Sequence, residues 1–382
     1  MNRRQFVTKT AGAAAATVVG TGAVIAGTER ASKGAAITGK ETTSESTGRA
    51  PSAQNHMIKR GVSLYSYQMA IMINGMKLED MIEEVSNIGA YGIEAMGQVI
   101  VENYPNPSEK WLGMWWDLMD RYGTVPVCYT DFHDQNLRKA RPMTTEENLE
   151  YLKRDLILAR KMGFNRMRML IGTPHDLIKA AIPVAEHLGI WMGLEIHAPV
   201  PLNSKLIDRC VEIADKHPNT FGLLPDMGIF QRYPRPYTRE TEIKNGTLTL
   251  ETAIYIEESF KKGIDREEVE KQVAKMKPKP GDTGYVETVY RSDAAYQNPR
   301  DLLPLLKYCR HIHGKFYEMS KGDKYYDTTV DYENVIPVLI EGGYNGYICS
   351  EYEGQRSMEI ADVDEIDEIR RQHVMLKRML GD

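Results

Sequence analysis

Four polar residues end or interrupt short apolar runs: Glu195 in GLEIH, Asp226 in LLPDMG, His313 in HIHGK and Glu351 in CSEYE. A charge buried in such surroundings is costly unless it is paired or bound to a metal. Three carboxylates and one imidazole form a donor set for one divalent cation. Carboxylate-rich sets suit the harder ions, Mn2+ foremost, with Mg2+, Co2+ and Zn2+ as alternatives. A cation beside two glutamates suits removal of a proton from a carbon next to a carbonyl. It polarises the oxygen and stabilises an enediolate, while one carboxylate takes the proton and another group returns it. Glu195 and Glu351 are the expected acid–base pair. Taken singly, each of the four reads equally well as a salt-bridge partner; their recurrence in successive segments is what points to a site.

Further candidates surround these four. His197 lies two residues after Glu195 and Lys315 two after His313, so each shares its neighbour's face in an extended strand. His197 could bind a sugar hydroxyl or act as an acid, and Lys315 could neutralise an oxyanion. Glu94, Arg168 and His133 end or follow earlier strand-like runs and are expected to bind substrate; a salt bridge at the rim is the alternative. His311 shares the His313 face but lies deeper, in a supporting position. Trp111 and Trp115, four apart on one helix, read as core packing rather than a sugar platform.

The elements that must position these residues alternate regularly. Strand-like runs cover Gly61–Tyr65, Gly92–Ala95, Val125–Tyr129, Arg166–Leu170, Met192–Ile196, Phe221–Leu224, His311–Phe316 and Tyr347–Ser350. Helix-like segments follow them; in Leu78–Ile88, Leu78, Met81, Ile82 and Val85 mark one apolar face. Gly163 and Gly189 read as helix stops and Asp331 as an N-cap. Eight strand–helix repeats predict an α/β fold, the (β/α)8 TIM barrel, in which functional residues gather at the C-terminal strand ends. The four candidate ligands end strands five to eight. No G-x-G-x-x-G follows the first strand, which argues against a doubly wound dinucleotide-binding sheet.

A long insertion between strands six and seven, about residues 229–298, breaks the repeat. It opens near Tyr233-Pro234-Arg235-Pro236-Tyr237, contains a charged helix at Arg266–Met276 and continues through a loop at Lys277–Asp282. Long insertions of this kind are commonly functional; a lid or a partner-docking arm is expected, and a solvated elaboration is the alternative.

The chain has 382 residues, 42% hydrophobic and 26% charged, with net charge −5 and a pI near 6.1. This is a globular composition without a basic stripe, so no nucleic-acid partner is expected. Cys128, Cys210, Cys309 and Cys349 lack pair or metal spacing and read as buried thiols. At the N-terminus, Arg3-Arg4 precede a small-residue apolar stretch from Ala11 to Ala26. That pattern predicts a twin-arginine-type signal peptide over residues 1–27, a disordered linker over 28–58 and a catalytic barrel over 59–382. The expected location is the periplasm, or export by that route, without stable membrane insertion after processing.

At these motifs the chain resembles the xylose isomerase-like TIM-barrel superfamily, in its sugar phosphate isomerase/epimerase branch. GVSLYSYQ with LEDMIEEVSNIGAYGIEAM is similar to the opening β-α-β unit, and GLEIH, LPDMG, HIHGKF and CSEYEG to the four metal-binding strand ends. The resemblance implies Glu195, Asp226, His313 and Glu351 as ligands, Glu195 and Glu351 also as the catalytic pair, and a small carbohydrate or glycoside as substrate. Ketose 3-epimerases of that branch carry a His, a Glu and an Arg where this chain has Ile229, Pro201 and Met319. SLYSYQ, NYPNPS and PVCY resemble the large subunit of C-glycoside deglycosidases, which act on 3-oxo-glycosides. The resemblance therefore implies an isomerase or epimerase, with a lyase or deglycosidase subunit as the alternative. A homo-oligomer or a small partner subunit fits either. A non-catalytic periplasmic sugar-binding protein is the third possibility.

Overall fold

Eight parallel strands carry the fold: β1 (Lys59–Ser63), β2 (Gly92–Met96), β3 (Val125–Thr130), β4 (Arg166–Met169), β5 (Trp191–Ile196), β6 (Phe221–Pro225), β7 (His311–Phe316) and β8 (Tyr347–Tyr352). The computed structural model describes residues 58–132, 141–354 and 364–382, with the side chains of 237 and 292–295 left aside. The sheet order is β6-β5-β4-β3-β2-β1-β8-β7. Parallel bridges between Leu223 and Cys309 and between Asp226 and His313 bring its two ends together. The molecule is therefore a nearly closed (β/α)8 barrel, as the strand–helix alternation predicts. Its strands are covered on both faces, which is why β5, β6 and β7 are buried at every position and why β6 reads as a near-continuous apolar run.

Helices at Leu78–Asn87, Glu109–Tyr122, Thr145–Lys161, His175–Leu188, Lys205–Lys216, Tyr332–Glu341 and Glu365–Leu380 wrap the strands. Their ends follow local chemistry. Thr144 and Glu147 form a reciprocal capping box, satisfying N–H groups that the helix itself leaves open. Gly189 closes its helix in the left-handed region. Asp331 precedes its helix but makes no side-chain cap; its carboxylate accepts instead from the Tyr296 hydroxyl and the Asn334 amide. Trp111 and Trp115 stack with centroids 6.2 Å apart, and Trp115 donates to the Met162 carbonyl, which is core packing. All four cysteines are free and buried.

The insertion is a helical unit with its own core. Its helices span Pro236–Lys244, Leu250–Lys261, Arg266–Lys275 and Pro280–Ala295. Ile256, Val269, Val273, Tyr285 and Val289 pack together apart from the barrel core. The expected loop at Lys277–Asp282 is shorter than the sequence suggests, because Pro280 opens a helix. Proline suits a first helical turn, which has no use for its missing N–H. The segment Pro299–Tyr308 is 3-10 rather than α-helical, with Pro304 inside it. At its root, the N–H groups of Arg232 and Tyr233 donate to the Thr329 carbonyl, tying the insertion to the loop after β7.

The expected signal peptide at 1–27 and almost all of the linker at 28–58 lie outside the described residues. Ile58, at the expected linker's end, is buried in the barrel core. Among the described residues no helix is long and apolar enough to cross a membrane.

Closure of the barrel leaves no room at Gly222 in β6. A Cβ there would stand 2.2 Å from the Tyr308 carbonyl oxygen and 2.7 Å from Trp191 Cζ2. Gly222→Ala is expected to destabilise the fold by about 2–3 kcal/mol, the cost typical of overpacking. Urea unfolding of the two proteins side by side checks this.

Candidate metal centre

The inward-facing residues of β7 are His311, His313 and Lys315, spaced by two, and they stack from the barrel interior towards its mouth. Around His313 gather Glu195 at the end of β5, Asp226 just past β6 and Glu351 near the end of β8. Each of the four offers a ligand atom within 4.8 Å of the others, and all four side chains are buried. His313 Nδ1 lies 3.1 Å from Glu195 Oε1 and 3.3 Å from Glu351 Oε2. Its other nitrogen, Nε2, faces Glu94 Oε1 at 3.1 Å. The imidazole thus turns one nitrogen to the donor set while a carboxylate orients the ring from behind, an arrangement that fixes ligand geometry and raises ligand basicity.

The remaining groups hold this set in place. Arg168 Nη2 lies 2.6 Å from Glu195 Oε2, leaving Oε1 for the centre. The Gly228 N–H donates to Asp226 Oδ1 at 2.6 Å, leaving Oδ2. Lys315 Nζ stands 2.7 Å from Asp226 Oδ2 and 3.2 Å from both Glu351 Oε2 and Glu353 Oε1. Its approach to Asp226 Oδ2 and Glu351 Oε2 lacks hydrogen-bond alignment, so neither buried oxygen has a properly directed donor. Five carboxylates (Glu94, Glu195, Asp226, Glu351 and Glu353) surround two fixed cations, Arg168 and Lys315. A buried negative excess with two undirected oxygens and a neutralisable imidazole nitrogen fits a divalent cation.

Ionisation follows the same balance. Burial pushes Glu195 up, but Arg168 and His313 outweigh it and hold the carboxyl at about 2. Burial likewise opposes ionisation of Glu351, yet Lys315 and His313 keep it well below the usual carboxylate range. At Asp226 burial prevails over the pull of Lys315 and pushes the group up to about 6. Burial disfavours a charged His313, but Glu94 and Glu351 hold its imidazolium well above the ordinary value.

The structure brings together Glu195, Asp226, His313, Glu351, Lys315 and Arg168. His197 is half-buried at the rim. Its Nδ1 lies 2.6 Å from the Ala198 carbonyl, which only accepts, so Nδ1 carries a proton there. Glu94, expected at the mouth as a substrate ligand, sits instead beneath the centre, fully buried. Thr130 donates to its Oε1, and its Oε2 pairs with His311 Nε2 at 2.7 Å. Its place on β2 is one layer below the strand ends, so it supports His313 rather than facing the mouth. His311 is the deep supporting residue that its spacing predicts. His133 lies outside the described residues. Ile229 and Met319 are wholly buried, so neither supplies a polar group to the mouth, and Pro201 is exposed.

Sequence reasoning passed over Glu353 and Tyr317. Each lies two residues beyond a recognised site residue, Glu351 and Lys315. Carrying the two-residue period past the strand ends would have found both.

No family model matches the chain. It is similar to the C-glycoside deglycosidase alpha subunit of Arthrobacter globiformis, 25% identical over 329 residues, covering 85% of this chain and 92% of that protein. It is also similar to a 3'-dehydrocarminate deglycosidase alpha subunit from Microbacterium sp, 24% identical over 348 residues, covering 84% of this chain and 95% of that one. These findings agree with the resemblance carried by the sequence motifs. Among solved structures, a sugar phosphate isomerase/epimerase from Parabacteroides distasonis aligns with a TM-score of 0.49 at 11% identity, covering 86% of this chain and 96% of that one.

Cation binding must displace protons from His313 and from Asp226. Mn2+ affinity is therefore expected to fall steadily between about pH 7.5 and pH 5.5, with protons released on binding. Calorimetric titration in buffers of different ionisation enthalpy measures both. A Cβ on Gly228 would stand 2.8 Å from Asp226 Oδ1 and 3.2 Å from Lys315 Cδ. Gly228→Ala is expected to weaken Mn2+ binding by about 10- to 100-fold, the range typical when a group that orients a ligand is lost. The same titration, with far-UV circular dichroism as the control for folding, decides it.

Proposed function

We propose that this chain is a divalent-metal-dependent carbohydrate enzyme that removes a proton from the carbon next to a ketone. The observation that carries the reading is the placement of two ionised glutamates, Glu195 and Glu351, on either side of His313 Nδ1, with Asp226 completing the donor set. When bound there, a cation supplies electrostatic stabilisation of the oxygen that becomes negative. Mn2+ is the ion we assign, since three carboxylates with one imidazole favour harder ions.

The chain's own residues divide the remaining work. Glu195 and Glu351 are the proposed base and acid. Arg168 fixes Glu195 Oε2, so that Oε1 alone faces the centre. Lys315 brings a permanent positive charge beside Glu351 and Asp226, where an oxyanion would develop. His197 offers Nε2 at the rim for binding a substrate hydroxyl. The buried walls keep water from the reacting carbon, which strengthens each of these electrostatic effects.

Two outcomes can follow the loss of that proton. The deglycosidase relatives favour elimination from an oxidised glycoside: the C2–H bond of a 3-oxo-glycoside breaks, its electrons form the C1–C2 double bond, and the bond from C1 to the aglycone breaks. A proton then goes to the departing aglycone, leaving an unsaturated sugar ketone. Those relatives are named alpha subunits, so a partner subunit belongs to this reading. Isomerisation or epimerisation is the second outcome, supported by the same geometry, in which the proton returns to carbon and no aglycone leaves. The twin-arginine-like N-terminus supports an exported enzyme in either case.

Incubation of the Mn2+-loaded protein with a 3-oxo-glycoside in D2O separates the outcomes. Release of the aglycone is the expected result; deuterium incorporation without release would move the assignment to an epimerase. EDTA is expected to abolish turnover and Mn2+ to restore it. Glu195→Gln and Glu351→Gln are each expected to lower kcat by about 10²- to 10⁴-fold, the usual contribution of a general acid or base. Sugar binding that persists in a parent protein without any turnover would replace the enzyme by a sugar-binding protein.

A further inference from the structure

Tyr317 lies two residues beyond Lys315, just past the end of β7, and is 2% exposed. Among the described residues its hydroxyl has no hydrogen-bond partner. The residue is nevertheless fixed from two directions. Its backbone N–H donates to Asp327 Oδ2 at 3.1 Å. Asp327 is buried and also accepts the N–H of Thr329, so it organises the whole loop that follows β7. The Arg235 guanidinium lies over the Tyr317 ring, 4.6 Å from its centroid, and Arg235 Nε donates to Gln231 Oε1 at 3.3 Å. Gln231 in turn bridges to Val330. The root of the insertion therefore covers the ring, while the loop after β7 holds the Tyr317 backbone.

The ring lies beside the metal centre. The point where a Cβ on Gly228 would stand is 3.6 Å from the Tyr317 hydroxyl, 3.2 Å from Lys315 Cδ and 2.8 Å from Asp226 Oδ1. Gly228 is thus the point round which the phenol, the lysine stem and a ligand carboxylate pack closely. A hydroxyl buried without a partner opposes folding, and phenylalanine would fill the same volume without that cost. Strain of this kind held in place by its surroundings collects at ligand sites. We propose that the Tyr317 hydroxyl is a substrate-binding group, donating a hydrogen bond to an oxygen of the carbohydrate held at the metal centre. This inference rests on the carbohydrate reading above. It also gives the insertion a role in the site: through Arg235 it fixes the plane of the ring that carries the donor.

The test compares the full-length parent with Tyr317→Phe. Thermal melting is recorded without ligand, and calorimetric titration uses Mn2+ alone and then, on the Mn2+-loaded protein, phenyl 3-oxo-β-D-glucopyranoside and D-fructose. The variant is expected to melt at the same temperature or higher and to bind Mn2+ as the parent does. It is expected to bind the sugar probe that the parent accepts about 3- to 30-fold more weakly, the loss of roughly one hydrogen bond. Equal sugar affinity in the two proteins would overturn the inference and leave the carbohydrate reading standing. A lower melting temperature or weaker Mn2+ binding would overturn it too, by showing that the hydroxyl serves the fold or the centre. A parent that binds neither sugar would remove the carbohydrate reading and this inference with it.

Discussion

The structure turns on a single electrostatic constraint: carboxylates outnumber fixed cations inside a barrel mouth that water hardly reaches. Charges in such a place must be balanced locally, because neither solvent nor distance screens them. Each neighbouring element is arranged around that requirement. β4 contributes Arg168 to hold Glu195, β7 contributes Lys315 against Asp226 and Glu351, and β2 contributes Glu94 behind His313. Glu195 Oε2 and Asp226 Oδ1 are thereby occupied, and the other oxygen of each faces the centre.

That arrangement also separates the chemical roles of similar groups. Glu195 and Asp226 are both buried carboxyls of the same cluster, yet one is held at about 2 and the other is pushed up to about 6. The difference lies in their neighbours. Glu195 has a guanidinium aligned on one oxygen. Asp226 has an ammonium nearby but meets the repulsion of Glu351 and Glu195 at full burial. Neighbours, rather than residue type, therefore set the ionisation of two like groups within one site.

Much of this was legible in the sequence because parallel strands obey a simple rule. Side chains alternate, and the C-terminal ends of barrel strands meet at one mouth. GLEIH, LLPDMG, HIHGK and CSEYE each place a candidate ligand at such an end, and those four converge. The depth of a residue within its strand was less legible. Glu94 looks like a strand-end residue, yet the register of β2 against β3, which shifts between Ile93 and Glu94, sets it below the mouth. Asp331 occupies a capping position but uses its carboxylate elsewhere. Such outcomes depend on partners distant in sequence, Thr130 and His311 in one case and Tyr296 in the other, and no local pattern encodes them.

The position of the insertion raises a mechanical question, since it separates two ligands, Asp226 and His313, that must meet. The cost of closing a flexible loop grows only with the logarithm of its length, and this segment is not a flexible loop. Its helices bury their own core, so their ordering is offset within the insertion instead of being drawn from the barrel seam. At the root, Arg232 and Tyr233 bond to Thr329 and Arg235 covers Tyr317. The same root that insulates the ligand pair from the inserted helices is therefore the path by which those helices can influence the site. A change in the insertion's packing would act through the orientation of one ring, leaving the Asp226–His313 bridge intact.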